Sequence, residues 1–208
     1  MTAYSSVIPK PFPHLVTENA VELELYKRLS DEFPEEELLA RPHEENERLD
    51  IRAIESECVS PLRKQFIAEG TSRDFWHQVL AQFGHHIMHE HPSIEANFGN
   101  MWDWTVSPRN MGDGTLQMEC QPGINTPQTT KSRVRGPHLD NPIQLFGGFL
   151  YMGEGEGDFV LYKVLKPLTF HDKLEVDEDC VEPAKIVKYA PNTLVMFLNT
   201  PRSVHGVT

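Results

Sequence analysis

Gly136-Pro137-His138-Leu139-Asp140, followed shortly by the apolar run Leu145-Phe146-Gly147-Gly148-Phe149-Leu150-Tyr151-Met152, is the stretch on which the reading of this chain turns. In an extended segment residues i and i+2 point to the same side, so the His138 and Asp140 side chains can converge on one ion. A second strand-like run, Thr193-Leu194-Val195-Met196-Phe197-Leu198, leads to His205, 65 residues beyond Asp140. Two imidazoles and one carboxylate cover one face of an octahedron, so His138, Asp140 and His205 are the predicted metal ligands.

Such a face leaves three coordination positions open, the arrangement expected of mononuclear non-haem Fe(II) oxygenases. A 2-oxo acid can chelate through two of them and leave the third for O2, while the anionic Asp140 offsets part of the iron charge. An H-x-D/E triplet alone is weak support, because the chain has 10 His and 31 acidic residues. His43-Glu44-Glu45 also matches it, in a segment read as solvated. Context separates the two: His138 is followed by a strand, then by the turn Gly153-Glu154-Gly155-Glu156-Gly157-Asp158, then by Phe159-Val160-Leu161-Tyr162.

Outward from this centre, short β-prone runs alternate with Gly, Pro and Asn over 97–208. Strands are expected near 101–107, 115–121, 144–152, 158–163, 168–171, 184–189 and 193–198, with a last one beginning near 204. The connection 122–137 shows no strand pattern and carries Lys131, Arg133 and Arg135. Residues 1–96 read as helical. A helix is expected over 17–33 from a Thr17 cap, with Ala20, Leu23, Leu25, Tyr26 and Leu29 on its buried face and Pro34 as its stop. The Glu-rich stretch 35–50 reads as a solvated loop with a short helical turn. A helical region over 61–91 breaks at Gly70-Thr71-Ser72, buries Phe75, Trp76, Val79, Leu80 and Phe83, and ends at Pro92. The fold class is mainly β with N-terminal helices (α+β), a jelly roll in a single domain of 208 residues.

Bulk properties narrow the classes. Hydrophobic residues at 39% and charged residues at 24% are ordinary for a globular chain, and no apolar run reaches a membrane span. The N-terminus lacks a basic start and an apolar h-region, so a cytoplasmic location is expected. Cys58, Cys120 and Cys180 suit reduced thiols rather than disulfides or a zinc site. A net charge of −12 disfavours nucleic acid as a partner, since that binding draws on Lys and Arg clusters.

The order H-L-D, F-L-Y-M, G-D-F-V-L-Y, L-V-M-F-L-N and H-G-V resembles the 2-oxoglutarate/Fe(II)-dependent dioxygenases, particularly their prolyl-hydroxylase-like branch, over 102–207. The opening Pro11-Phe12-Pro13-His14-Leu15-Val16 carries a fainter likeness. The resemblance implies a double-stranded β-helix with helices packed outside one sheet. It also implies Fe(II) as cofactor with 2-oxoglutarate and O2 as co-substrates, and a C–H bond of a small metabolite, amino acid or peptidyl residue as the target. His138, Asp140 and His205 match the family's iron ligands. Tyr151 matches a tyrosine that bonds the distal carboxylate of 2-oxoglutarate. Asp140 disfavours halogenation, for which a small residue replaces the carboxylate.

The family pattern usually places an Arg or Lys one short strand beyond the distal His, and this chain ends at Thr208. Either the chain is C-terminally truncated, or the carboxylate meets another cation, with Arg202, Lys163 and Lys166 as candidates and Lys163 on a strand able to face inward. The alternative function is a jelly-roll sensor or binding protein that keeps a metal without turnover. Arg135, Arg133 and Asn125 are candidate substrate contacts, with Gln117 and Trp104 as weaker pocket residues. His85, His86, His89 and His91 read as a helix end rather than a metal site, and Asn199 and Pro201 as turn formers.

Overall fold

The computed structural model describes residues 5–52, 56–127, 135–171 and 174–208. In chain order the elements are β1 (His14–Thr17), α1 (Leu23–Asp31), α2 (Glu35–Leu39), β2 (Arg48–Asp50), α3 (Pro61–Gly70), α4 (Arg73–Glu90), α5 (Ile94–Phe98), β3 (Val106–Pro108), β4 (Leu116–Met118), β5 (Gly123–Asn125), β6 (Arg135–His138), β7 (Phe146–Leu150), β8 (Phe159–Val164), β9 (Val181–Val187), β10 (Leu194–Leu198) and β11 (His205–Val207). Most strands lie in antiparallel sheets; β3 and β4 pair in parallel. Contacts divide the chain into two compact units, 1–27 with 128–208, and 28–127.

In the first unit β1, β10 and β7 form one sheet, and β6, β11, β8 and β9 form another. Alternation sets the faces. On β8, Phe159 and Leu161 join Phe12, Val187, Val195 and Phe197 in one buried cluster, while Val160 and Tyr162 join Val176, Cys180, Val181 and Val204 in a second. The register of β8 with β9 shifts between Leu161 and Tyr162, so Lys185 sits opposite Leu161 and Pro183 opposite Tyr162. Such a bulge re-aims side chains: Val187 belongs to the Leu161 cluster and Val181 to the other.

The second unit is mainly helical. Ser60 accepts from the Arg63 amide at 3.2 Å with Pro61 in the first turn, and Ser72 accepts from the Phe75 amide at 3.1 Å. These caps account for the expected break at Gly70-Thr71-Ser72. Trp76, Val79, Leu80, Phe83 and Ile87 form the buried stripe of α4, with Phe75 only half-buried.

Several expected boundaries are corrected. The first helix starts at Leu23 rather than Thr17, because Thr17 belongs to β1 and pairs with Leu194. Its cap is the Glu22 carboxylate, which accepts from the amides of Glu24 and Leu25 at 3.1 and 3.0 Å, and Leu23 is exposed. The stretch 35–50 carries the expected short helical turn as α2 and is mostly exposed, but it is not loop throughout: Leu38 and Leu49 bury with Ile51, Val59 and Ile67, and β2 pairs with β5. Its acids lie on the outside of those leucines. The connection 122–137 holds β5 and β6, residues 101–103 form a 3₁₀ turn, and 168–171 contributes only a bridge from Phe170 to Val176.

Candidate metal centre

β6 ends on His138 and β11 begins on His205, and these two residues are direct cross-strand partners. Their rings lie 4.3 Å apart. In each, the Nδ1–H donates to a backbone carbonyl two residues earlier, His138 to Gly136 at 2.8 Å and His205 to Ser203 at 2.9 Å. That bond fixes the tautomer and leaves the Nε2 lone pair for a metal. Both Nε2 atoms converge on Asp140 Oδ1, from 4.0 Å for His138 and 3.7 Å for His205. These separations are too long for hydrogen bonds, yet one ligand atom from each residue lies within 4.8 Å of the others.

Electrostatics keep the imidazoles neutral. Burial, then His205 and Arg135, push the His138 pKa down to about 4, against the Gly136 carbonyl and Asp140. Burial and Arg135 likewise lower His205 to about 4, against the Ser203 carbonyl. A neutral imidazole pair beside a half-buried carboxylate could bind a metal ion.

Local structure holds the ligands in place. β6 is pinned by β11 along one edge. Along the other, Leu139 N donates to Leu174 O at 2.9 Å and Val176 N to Pro137 O at 2.8 Å. Asp140 lies just beyond β6 in a loop tied down by buried Asn199, whose Nδ2 donates to Asn141 O at 2.8 Å and Gln144 O at 3.0 Å. Ser203 Oγ donates to Asn199 Oδ1 at 3.2 Å. Gly147 keeps space open beside the carboxylate, since a Cβ there would lie 3.4 Å from Asp140 Oδ2 and 3.0 Å from the Phe197 ring.

No family model, curated protein or solved structure matches this chain. The centre therefore stands on its own geometry: a His-Asp-His group placed to bind a metal ion.

The other predicted site residues disperse. Tyr151 follows β7, where its hydroxyl donates to Gly157 O at 3.2 Å and its ring packs on Phe149 and Tyr189; burial, Asp158 and Tyr189 raise its pKa. Lys163 does not face inward: it is exposed and paired with Glu182 at 3.0 Å. Lys166 is likewise exposed on Asp179 at 2.7 Å, and Arg202 is exposed in a turn. Arg135 is exposed on β6, with its charge felt by both ligand histidines. Asn125 is exposed on β5 of the helical unit, opposite Arg48. In that unit Gln117 is exposed on β4, and buried Trp104 stacks on Trp76 at 5.6 Å. Arg133 and Lys131 lie outside the described residues.

His43, in the competing triplet, is exposed and donates Nδ1–H to Arg41 O. His85 and His89 are exposed on α4. Among the described residues no helix is long and apolar enough to cross a membrane.

Sequence reasoning missed the anchoring role of Asn199 and the space left by Gly147. It also missed an inward pair, His14 and Lys185, whose Nε2 and Nζ stand 3.3 Å apart. The apolar alternation around His14 and the bulge before Lys185 are the relevant signals, and a bulge cannot be read from periodicity.

Proposed function

We propose that the protein is an Fe(II)- and 2-oxoglutarate-dependent oxygenase that hydroxylates a C–H bond of a small metabolite, an amino acid or a peptidyl residue. Its two main sheets are read as the two faces of a double-stranded β-helix. The sheet orders support that reading, since the chain passes from β6 to β7 in the other sheet, back to β8 and β9, across to β10 and back to β11. One observation carries the functional reading: His138, Asp140 and His205 bring three ligand atoms within 4.8 Å, a donor set that on a six-coordinate metal would leave three positions for a chelating 2-oxo acid and O2.

Bound there, Fe(II) supplies O2 activation coupled to decarboxylation of the 2-oxo acid. The chain supplies position and charge. His138 and His205 present fixed lone pairs, because their other nitrogens are held by backbone carbonyls. Asp140 offsets part of the metal charge. Phe197 and Phe159 pack on the His205 ring, at 4.6 and 5.4 Å between centroids, and restrict its rotation. The work of such a site is to hold the metal and the target bond in register.

The test is an anaerobic titration with Fe(II) followed by 2-oxoglutarate. The expected result is one equivalent of iron and the weak visible charge-transfer band of the chelate, then succinate on admission of O2. Iron binding with no band and no succinate overturns the proposal.

A further inference from the structure

We propose that the last turns of α4 carry a second, solvent-facing metal site, in which His85 and His89 chelate a late first-row divalent ion such as Zn(II) or Cu(II), with His86 and Glu90 beside them. The site lies wholly within the helical unit and does not depend on the oxygenase reading.

Four of the chain's 10 histidines fall within 85–91. The sequence reads this stretch as the end of a helix, and α4 does end at Glu90. The structure adds how the side chains gather there. His85 and His86 are adjacent, and adjacent positions on a helix do not face each other, yet their ring centroids lie 3.7 Å apart. One turn later, His89 Nδ1 stands 3.1 Å from Glu90 Oε1. The two pairs are linked at i and i+4, His85 to His89 and His86 to Glu90. Helical side chains tilt toward the N-terminus, so His89 and Glu90 lean back over His85 and His86. Electrostatics agree with this proximity: burial, then the charge of His85, lowers the His86 pKa, with Glu90 opposing and His89 adding to it.

Two imidazoles at i and i+4 on one helix face can ligate a single ion. His85 and His89 are exposed. The His89 side chain is 82% exposed, so it can turn from Glu90 toward the ion without disturbing the core, and water completes the coordination. The Glu90 carboxylate and the negative end of the α4 dipole offset part of the ion's charge. Imidazole ligands suit Cu(II), Ni(II) and Zn(II), whereas Mg(II), Ca(II) and Mn(II) prefer oxygen. Exposed histidines elsewhere are arranged otherwise: His43 donates Nδ1–H to Arg41 O, and His171 commits both nitrogens to carboxylates.

The test has two arms, both on the whole protein. In the first, wild type is treated with diethyl pyrocarbonate with and without Zn(II), and each modified histidine is located by mass spectrometry. Zn(II) is expected to protect His85 and His89 and to leave His43 and His171 as reactive as before. In the second, Zn(II) is titrated by calorimetry into Asp140→Ala and into the same chain carrying His85→Asn and His89→Asn. The added pair is expected to lower the remaining Zn(II) affinity at least about tenfold, whereas His43→Asn on that background leaves it unchanged. Exposed positions tolerate such changes, and equal melting temperatures check that the variants are folded. Modification of His85 and His89 that Zn(II) does not slow overturns the proposal without any variant. Affinity that survives the double substitution, or that falls equally in His43→Asn, overturns it as well.

Discussion

Two histidine–carboxylate groups in the sheet unit have nearly the same composition and opposite properties. His138, Asp140 and His205 are drawn together from two strands, with the imidazoles buried and lowered to about 4. His171 is exposed, with Nε2 on Glu175 at 2.9 Å and Nδ1 on Asp177 at 3.2 Å, and its pKa is raised, chiefly by the Glu175 bond. In the first group a backbone carbonyl takes one nitrogen of each ring and leaves the other as a lone pair. In the second both nitrogens are committed to carboxylates. Between these two groups the capacity to hold a metal ion is thus set by which atoms are left unoccupied in a buried place, rather than by the residue types present.

The sharpest way to break the comparison is to remove a ligand. Asp140→Ala is expected to weaken Mn(II) or Fe(II) binding by at least about hundredfold, measured by calorimetry under argon. Retention of wild-type affinity would remove the triad from the account.

Acid separates the two groups next. For His138 and His205 the folded pKa lies below the unfolded value near 6.5, so the unfolded chain binds more protons and metal-free stability falls as pH drops from about 6.5 toward 4. The loss is on the order of a few kcal/mol for the pair. His171 has the opposite sign: its contribution is present below pH 6.5 and is lost as pH rises through its raised folded pKa. Denaturant midpoints of the metal-free protein at pH 7, 6, 5 and 4 read the net slope. A flat profile above pH 5 contradicts the neutral, buried pair.

A smaller effect is expected from Asn199→Ala. It removes the bonds to Asn141 O and Gln144 O and costs about 2 kcal/mol of stability. Loosening the loop that carries Asp140 should also lower metal affinity about tenfold. Unchanged affinity with lowered stability would limit Asn199 to a structural role.

The legible parts of this molecule were those with local chemistry. The helical region expected over 61–91 with its break at Gly70-Thr71-Ser72 is found as α3 and α4, and the β-prone runs 144–152, 158–163 and 193–198 hold β7, β8 and β10, with β8 running one residue past its window. The convergence of His138 and Asp140 follows from extended backbone, and that of His205 from a strand pairing the sequence could only imply. What stayed hidden depends on partners distant in the chain. Arg48–Asp50 becomes a strand only because Gly123–Asn125 lies beside it, and the leucines at 38 and 49 were masked by the acids around them. Lys185 turns inward because of a one-residue register shift, whereas Lys163, equally promising by position, ends on Glu182. Asn199 reads as a turn residue until its two carbonyl partners, more than fifty positions away, are seen.

The smallest expected effect falls on the exposed group. His171→Ala removes two ion-pair contacts whose side chains are 38 to 53% exposed, and exposed pairs of this kind contribute little because solvent screens them. The melting temperature at pH 7 should stay within about 2 °C of wild type, with Mn(II) affinity unchanged. A connection to the metal centre does exist in the backbone, since Glu175 bridges His138 and Leu174 O accepts from the Leu139 amide. A drop in metal affinity on His171→Ala would therefore mean that the Glu175 carboxylate, once released from the imidazole, no longer holds its backbone against β6. The contrast between the two groups would then give way to a coupling between them.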